Sequence, residues 1–389
     1  MEKIKNVKSI QIKGELEGRG IVNFDSDKQL NIIKFSNLME DMGIKNDDDY
    51  AKIGKNIKLG KKSFKYEGKK TISNKDGDKT DINIYSYKNL ISSACLRHAT
   101  YQNDVEMVNS SIMLNEIILS NYVTSFVGLT RGYLFAQTAG KNLPTIKRTS
   151  CLTLTDAIES NNAKSVMSIG TTMGVRDNKS MTYNETVGDI EYDFSGSINP
   201  KTLQFISTDL FFDRLAMFPD WLKNGMFDNC MTKHYGDKAQ YKTGHFTHQA
   251  QYLTKTICEN GVLLNNDFTV YLIKETLKRL LRIYITRSTA YAKIKELKIR
   301  LVDDILMDEE EGWITLNSDE DIDNLDFSVF EYFEETTDED FNERKIIEEE
   351  YKKISEENKK EQDAKSKSKK AKKSKQDNEE TADKEELTD

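Results

Sequence analysis

The sequence predicts an α+β fold, a sandwich of the ferredoxin or RNA-recognition type that carries large insertions. The predicted elements follow one another in the order strand, helix, strands, helix, strand, as they do in that fold. The chain has 389 residues, of which 37% are hydrophobic, and this is enough for a substantial core. Two segments rich in glycine and polar residues interrupt the series, and we interpret them as insertions.

The first predicted strand lies in VKSIQIKGELEGRGIVNF, where apolar Val7, Ile10 and Ile12 alternate with polar residues. Gly14, Gly18 and Gly20 follow. We therefore expect this strand to end in a glycine-rich turn.

Three helices are predicted from the spacing of apolar residues. Residues 85–101, YSYKNLISSACLRHATY, predict an amphipathic helix that begins near Ser86. A second helix is expected over 111–127, ended by Gly128, with RGYLFAQ following as a strand. Residues 262–300 predict a third helix, with apolar residues that include Val270, Leu272 and Leu277, and then a last strand.

The two insertions differ in character. Residues 25–80 are predicted to form a loop-rich basic lobe, because residues 51–80 hold ten lysines against three acidic residues. The alternative to a binding role for this lobe is a solvated surface insertion that contacts nothing. Residues 165–206 are dense in turn residues and contain alternating stretches such as DIEYDF, so they predict a long β-hairpin excursion.

Charge is unevenly distributed along the chain. Residues 303–389 contain 32 acidic and 14 basic side chains, a net charge of −18. Because the whole chain carries −8, residues 1–302 carry +10. A basic body of this size is compatible with a phosphate backbone as partner, although charge alone does not identify the anion.

The acidic part itself has two sections. Residues 303–340 hold 17 acidic residues and no lysine or arginine, but they retain five aromatic residues, so part of this extension is expected to pack against the body. Residues 341–389 are highly charged, and we expect disorder there. The extension could compete for an RNA groove, contact a partner or keep the protein soluble, and solubility is the simplest role.

Cations flank the stretch GLTRGYLFAQTAGKNLPTIKRTS, residues 128–150. Arg131, Lys147 and Arg148 lie at the ends of short predicted strands, with Thr149 adjacent. Such a set can donate to consecutive phosphates. The alternative is an ordinary surface with salt bridges.

Cysteine and histidine patterns give little support for catalysis or metal binding. The sequence contains no G-x-x-x-x-G-K-[ST], G-x-S-x-G or H-E-x-x-H motif. The spacing of Cys230, His234, His245 and His248 resembles a zinc site, but a loop that faces phosphates with Lys233 and His245 is favoured. The four scattered cysteines suit reduced thiols, and no apolar leader or spanning segment is evident, so a cytoplasmic location is expected.

Several stretches resemble a known family. CLRHATY, GLTRGYLF, KRTSCLTLTD, VGDIEYDFSGSINPKTLQFISTDLFFDRLAM and GVLLNNDFTVYLIKETLKRL are similar, in that order, to the backbone subunit of type I CRISPR surveillance complexes. The compact I-F variant is the most similar form. The similarity runs from about residue 6 to 303, while the basic lobe and the acidic tail match weakly.

The resemblance implies a modified RNA-recognition palm with finger and thumb extensions. Copies of such a subunit line up along the guide RNA (crRNA), and the guide pairs with the target DNA strand. By residue range, the body is 1–302, the finger is 25–80 and the thumb hairpin is 168–197; the acidic extension is 303–340 and the tail is 341–389. Implied partners are crRNA, target DNA, other copies of the chain and other CRISPR effector subunits, with no membrane, cofactor or metal.

Together, the residue patterns and the resemblance predict a set of RNA contacts. Palm cations hold phosphates, and an apolar thumb tip displaces a base. The predicted set is Arg97, His98, Arg131, Gly132, Lys147, Arg148, Thr149, Lys179, Met181, Tyr183, Lys233 and His245.

Two alternatives remain open at this point. The related backbone subunit of type III complexes cleaves target RNA with a thumb aspartate and a divalent metal, and Asp177 lies in the predicted turn. A stand-alone RNA-binding or RNA-processing protein of the same superfamily could use His98 or His245 as a base. We expect a subunit without catalytic activity.

Overall fold

The structure is a computed structural model. It describes residues 4–20, 22, 34–35, 62–73, 79–102, 116–135, 145–161, 166–172, 181–210, 215–248, 258–287, 290–303, 311–347, 349–350 and 353–354. The chain forms two compact units. Unit 1 comprises Met1–Lys242 and Gly261–Tyr332, and unit 2 comprises Thr243–Asn260 and Phe333–Asp389.

Strands and helices follow one another in groups along the chain. The strands are β1 (Ile4–Val7), β2 (Ser9–Arg19), β3 (Lys34–Phe35), β4 (Lys62–Ser73), β5 (Lys79–Ile91), β6 (Tyr133–Phe135), β7 (Ile146–Arg148), β8 (Leu152–Leu154), β9 (Ala157–Glu159), β10 (Val166–Thr172), β11 (Met181–Val187), β12 (Asp189–Ile198), β13 (Phe205–Ser207), β14 (Tyr241–His248), β15 (Cys258–Leu264), β16 (Tyr284–Arg287), β17 (Ala290–Val302), β18 (Ile314–Leu316), β19 (Phe327–Val329) and β20 (Phe333–Glu335). The helices are α1 (Ser93–Thr100), α2 (Glu116–Thr124), α3 (Phe126–Arg131), α4 (Pro200–Gln204), α5 (Asp220–Lys223), α6 (Met226–Tyr235), α7 (Asn266–Leu281) and α8 (Asp319–Asp323), and residues 338–347 are also helical. The mixed content confirms an α+β fold.

A largely antiparallel sheet, in the order β16-β17-β2-β12-β9-β5-β3, organises unit 1. Strand β2 is central and pairs antiparallel with both β12 and β17. Its inward residues Ile10, Ile12 and Leu16 are buried. The apolar face of α7, including Leu272 and Leu277, belongs to the same core. The sequence patterns therefore place Ile10, Ile12, Leu272 and Leu277 in the core correctly, whereas Val270 is only half-buried.

The predicted glycine-rich turn after the first strand is wrong. Strand β2 continues through Gly14 and Gly18 to Arg19, and the backbone leaves the extended conformation only at Gly20, where φ is 75°. A Cβ at Gly14 would clash with the ring of Phe194, and one at Gly18 would meet the backbone of Tyr291. These glycines allow close packing inside the sheet.

Two helix predictions need correction at their ends. Residues 85–91 continue β5, which pairs with β4 and β9, so the first helix begins after Ser92, whose side chain caps it. The second predicted helix is split by Ser125 into α2 and α3, and Gly128 lies inside α3. Gly128 is required there because a Cβ would press on the carbonyl of Tyr122.

The predicted hairpin excursion contains a two-stranded antiparallel pair, β10 and β11, in which Thr172 pairs with Met181. Strand β12, which follows, belongs to the main sheet. The basic lobe at 25–80 lies mostly outside the described residues; within it, β4 pairs antiparallel with β5.

Part of the acidic extension is folded into unit 1. Strand β18 pairs with β17, and β19 pairs in parallel with β1. In unit 2, β14 pairs with β20. The helix over 338–347 carries the buried side chain of Phe341, and it crosses the boundary that was predicted at residue 340. Among the helices that the structure describes, none combines the length and apolarity needed to cross a bilayer.

Candidate nucleic-acid interface

Three chain segments meet at one place in unit 1, which we call the junction: residues 130–132, 148–151 and 199–203. The Cys151 amide donates to the Thr130 carbonyl at 3.0 Å, and the Asn199 amide donates to the Cys151 carbonyl at 2.9 Å. The Ser150 hydroxyl also donates to the Thr130 carbonyl, at 3.2 Å. Backbone bonds therefore fix the relative positions of these segments.

Gly132 makes the close approach possible. It ends α3 with φ of 73°, in the left-handed region that favours glycine. A Cβ there would clash with the carbonyl of Arg148 and with the backbone that follows it. The chain then turns into β6, which pairs with β7 so that Leu134 lies opposite Lys147. The Leu134 side chain is 60% exposed, and it shares the outer face of this pair with Lys147.

Arg131 occupies the last turn of α3, beside the aromatic side chains Tyr101 and Tyr122. Burial raises the pKa of both phenols, and the positive charge of Arg131 acts against that rise. Arg131 is half-buried, and within the described part of the chain no carboxylate pairs with it.

Arg97 and His98 lie in the last turn of α1, immediately before Tyr101. The ring centroid of Tyr101 lies 6.2 Å from that of Phe126, the first residue of α3. The C-terminal end of α1 is therefore adjacent to α3. Arg97 is half-buried and His98 is exposed. The structure thus brings Arg97, His98 and Arg131 to neighbouring helix ends.

Lys201 completes the junction and was missed by the sequence prediction. It lies in α4, a short helix that begins at Pro200 after the capping residue Asn199. It is half-buried, desolvation lowers its pKa, and the described residues include no ion-pair partner for it.

Arg148 does not contact the outside of the junction, which corrects its predicted role. The side chain is only 6% exposed. Its Nε donates to the Leu129 carbonyl at 3.1 Å and its Nη1 to the Phe205 carbonyl at 2.8 Å. Its Nη2 donates to the carbonyls of Thr202 and Leu203, at 3.2 and 3.0 Å. Because these donors are used within the fold, we remove Arg148 from the phosphate-contact set and assign it a structural role.

The ionisable groups buried beside Arg148, the Cys151 thiol and the Tyr133 hydroxyl, are uncharged. Desolvation lowers the pKa of the guanidinium and raises the pKa of the Cys151 thiol to about 12, so the thiol stays protonated. The Tyr133 hydroxyl donates to the Ala216 carbonyl at 2.5 Å. Arg148 therefore ties α3, α4 and β13 together from inside, directly beneath the exposed Thr149.

Other predicted contacts lie elsewhere. Lys233 is exposed on α6, where its ammonium is 3.4 Å from the Asn121 side-chain oxygen. His245 belongs to unit 2, where its ring stacks on Phe341 with centroids 3.4 Å apart and burial lowers its pKa. Lys179 lies outside the described residues, as does Asp177, and the side chains of Met181 and Tyr183 on β11 do too. The thumb wedge remains a prediction.

The four candidate zinc ligands are divided between the two units. In unit 1, the Cys230 sulfur lies 3.7 Å from the Ser120 hydroxyl, and His234 Nε2 lies 2.9 Å from the Asn121 carbonyl. His245 and His248 are in unit 2. Across the described residues, no three His, Cys, Asp or Glu side chains converge as metal ligands would.

The outward face of the main sheet differs from the junction in its electrostatics. Lys293 pairs with Glu17 at 3.0 Å, and Lys295 pairs with Glu191 at 2.8 Å. These bridges raise the pKa of both lysines through hydrogen bonding to the carboxylates. The lysines on this face are already neutralised, so the junction is the better candidate for binding an external anion.

Comparison with known proteins identifies the family. A sequence model described as type I-Fv CRISPR-associated protein Cas7fv-like matches residues 6–330. One solved structure, titled "CRISPR RNA-guided surveillance complex", has 10% sequence identity and covers 81% of each chain, with a TM-score of 0.30, which is too low to carry an argument. The search of curated proteins found no match. The family match confirms the resemblance and extends it beyond 303, so the first part of the acidic extension is not a departure from the family. The chain belongs to the Cas7fv-like family of type I-Fv CRISPR-associated proteins.

Proposed function

We propose that this protein is a backbone subunit without catalytic activity that binds crRNA, repeats along it, and supports recognition of foreign DNA through guide pairing. One observation carries the RNA-binding part: half-buried Arg131 and Lys201 lie on segments that backbone hydrogen bonds join at the junction, and neither has a carboxylate partner among the described residues. Membership in the Cas7fv-like family supports the setting.

The chemistry of the junction suits phosphate rather than bases. Phosphate oxygens accept charge-assisted hydrogen bonds from guanidinium and ammonium groups, and these contacts carry no sequence information. Thr149 adds an exposed hydroxyl on the same segment that packs on Gly132. A subunit that must hold any guide needs this kind of binding, because discrimination is supplied by base pairing with the target.

Desolvation explains why Lys201 is informative. Burying a cation without a partner costs free energy, and this cost lowers its pKa. A bound phosphate would supply the missing negative charge and offset the cost. A solvated lysine that had only a solubilising role would show no such cost.

The finer architecture belongs to the same proposal. In it, the main sheet of unit 1 is the modified RNA-recognition palm, the lobe at 25–80 is the finger, and the hairpin of β10 and β11 is the thumb. The thumb reaches a neighbouring copy and displaces one base of the guide. Other CRISPR effector subunits and the target DNA strand complete the set of partners.

The experiment that tests this proposal is purification of the complex from the expressing cell and sequencing of its bound RNA. Uniform repeat-spacer RNAs are expected with the wild-type chain. The double variant Arg131→Gln, Lys201→Gln should lose most of that RNA. The matched double variant Lys5→Gln, Lys223→Gln, which removes two exposed lysines outside the junction, should keep it. Random RNA fragments, or equal loss in both variants, would contradict the proposal.

A second assay addresses catalysis. The assembled complex is incubated with complementary RNA and magnesium, and intact target is expected. Regular cleavage that is abolished by Asp177→Ala would show a nuclease. Turnover of precursor RNA by the isolated chain, abolished by His98→Ala or His245→Ala, would instead show a processing enzyme.

A further inference from the structure

Helix α7 has the composition of a nucleic-acid-binding helix. Its sequence, NDFTVYLIKETLKRLL, places Lys274, Lys278 and Arg279 on its polar side, and Arg282 caps it. With its cap, the helix carries four basic residues against two acidic ones, Asp267 and Glu275. If these groups were available, RNA could bind on this helix instead of at the junction.

Short helix α8 and the residues that follow it contact these cations directly. The Asp323 carboxylate pairs with the Lys278 ammonium at 2.8 Å, and the Asp323 carbonyl accepts from Lys274 at 2.9 Å. Asp319 pairs with Arg282. Hydrogen bonding to Asp323 raises the pKa of Lys278, and the same bond lowers the pKa of Asp323, so the two groups hold each other charged.

The remaining cation of the helix is also occupied. The Arg279 guanidinium lies 3.8 Å from the centroid of the Phe126 ring and 3.6 Å from Glu275. All four cations of α7 and its cap therefore have partners inside unit 1. This is the opposite of Arg131 and Lys201, which have no carboxylate partner among the described residues.

The same acidic segment covers a second group of cations through its aromatic residues. The Trp313 ring lies 4.4 Å from the Lys13 ammonium and 5.3 Å from the Arg300 guanidinium. Phe330 lies 5.4 Å from the Lys8 ammonium. Cation–π contacts of this kind stabilise the positive charge without an external anion.

Backbone and side-chain bonds hold the segment in place. Ser318 and Asp321 form a capping box at the start of α8. The Asn266 side chain donates to the Val329 carbonyl at 2.8 Å and accepts from the Val329 amide at 3.1 Å. Together with the pairing of β18 and β19, these bonds make residues 311–330 a fixed part of unit 1.

We propose that residues 311–330 determine where nucleic acid binds, by occupying the cations of α7 with Asp319 and Asp323 and so leaving the junction as the phosphate site. This inference rests on the proposed function and deepens it. An intramolecular carboxylate competes at high effective concentration with an external phosphate. A protein that grips phosphate without regard to sequence needs such a restriction, because every exposed cation is otherwise a rival site.

The test compares full-length variants of equal net charge. Asp319→Asn with Asp323→Asn removes the two carboxylates that pair with cations, while leaving the capping residue Asp321 intact. Glu320→Gln with Glu331→Gln is the matched control. Glu320 lies in this segment and Glu331 directly follows it; both are exposed and have no ion-pair partner among the described residues. A third variant adds Lys278→Gln and Arg282→Gln to the first.

Two probes are used, a short duplex DNA of unrelated sequence and a repeat-spacer RNA. For the first variant we expect duplex affinity to rise about fivefold at low salt. The log–log salt slope should be steeper by about 0.9 for one added phosphate contact at Arg282, because Lys278 keeps its pairing with Glu275 at 3.1 Å. The control should match the wild type, and the third variant should return to it. Circular dichroism melting checks that each variant is folded.

The outcomes separate the two proposals. Equal gains in the first variant and the control would mean that only net charge matters, and this overturns the inference. No gain in a folded first variant also overturns it. If the wild type fails to bind the repeat-spacer RNA while the first variant still gains duplex binding, the proposed function fails and the assignment of α8 stands.

Discussion

Two arginines of the junction are predicted to respond in opposite ways to substitution. Arg148 is buried and donates four hydrogen bonds to backbone carbonyls, whereas Arg131 is half-buried and lacks a carboxylate partner among the described residues. Arg148→Met should destabilise the fold. Arg131→Met should leave the fold stable and weaken RNA binding.

The magnitude for Arg148 follows from its hydrogen bonds. A hydrogen bond to a charged group contributes roughly 1.5–3 kcal/mol, so four give an upper bound of about 6–12 kcal/mol. Removing the guanidinium also recovers the several kcal/mol that its burial costs. The net loss is therefore about 3–5 kcal/mol, similar to other cases in which a buried charged partner is deleted. In a domain of this size, that loss lowers Tm by roughly 5–15 °C.

The assay is thermal unfolding by circular dichroism, followed by RNA titration well below each Tm. Arg148→Lys is the informative intermediate, because it keeps the charge but cannot reach all four carbonyls, and it should fall between the wild type and Arg148→Met. If Arg148→Met melted like the wild type but failed to bind RNA, the structural assignment of Arg148 would be refuted. A large drop in Tm for Arg131→Met would refute the assignment of Arg131 to RNA binding rather than to fold stability.

Three further predictions concern the junction. Arg131→Gln with Lys201→Gln should reduce the log–log salt slope of single-stranded RNA binding by about 1.4, since each lost phosphate contact removes about 0.7; unequal effects on different spacer sequences would contradict phosphate contact. Burial lowers the pKa of Lys201, and a bound phosphate should raise it again. RNA affinity should therefore fall as pH rises through the lowered pKa of the free protein. Lys201→Arg should remove this pH dependence, and Lys201→Met should melt no lower than the wild type. Gly132→Ala should lower Tm, because φ is 73° and a Cβ would strike the Arg148 carbonyl; an unchanged melting curve would contradict the close approach.

Local sequence patterns correctly predicted the elements that bury a single face. The helical spacing in α7 and the alternation in β2 locate core residues because each element has one buried face. Residues 85–91 were misassigned as helix because their strand character depends on pairing with β4 and β9, which is distant in sequence. Gly128 was taken as a helix stop because glycine usually acts so, but here it admits a neighbouring backbone.

The roles of the junction residues were likewise not predictable from local sequence alone. Arg131 and Arg148 are the same residue type in similar sequence surroundings, and only the carbonyls at 202–205, more than fifty positions away, decide that Arg148 is internal. Lys201 was overlooked because it stands alone rather than in a basic run. Its significance comes from partial burial and a missing partner, and neither property can be read from neighbouring letters.

Net charge is consequently a poor guide to where this protein binds RNA. Residues 1–302 carry +10, but residues 303–332 contribute 12 acidic and no basic side chains, which brings residues 1–332 to −2. Asp319 and Asp323 in that stretch pair with basic residues of α7 and its cap. RNA affinity must therefore arise from local placement of a few unneutralised cations, not from a general positive field. It follows that moving one lysine from the junction to the surface of α6, at constant net charge, should weaken RNA binding about as much as deleting it.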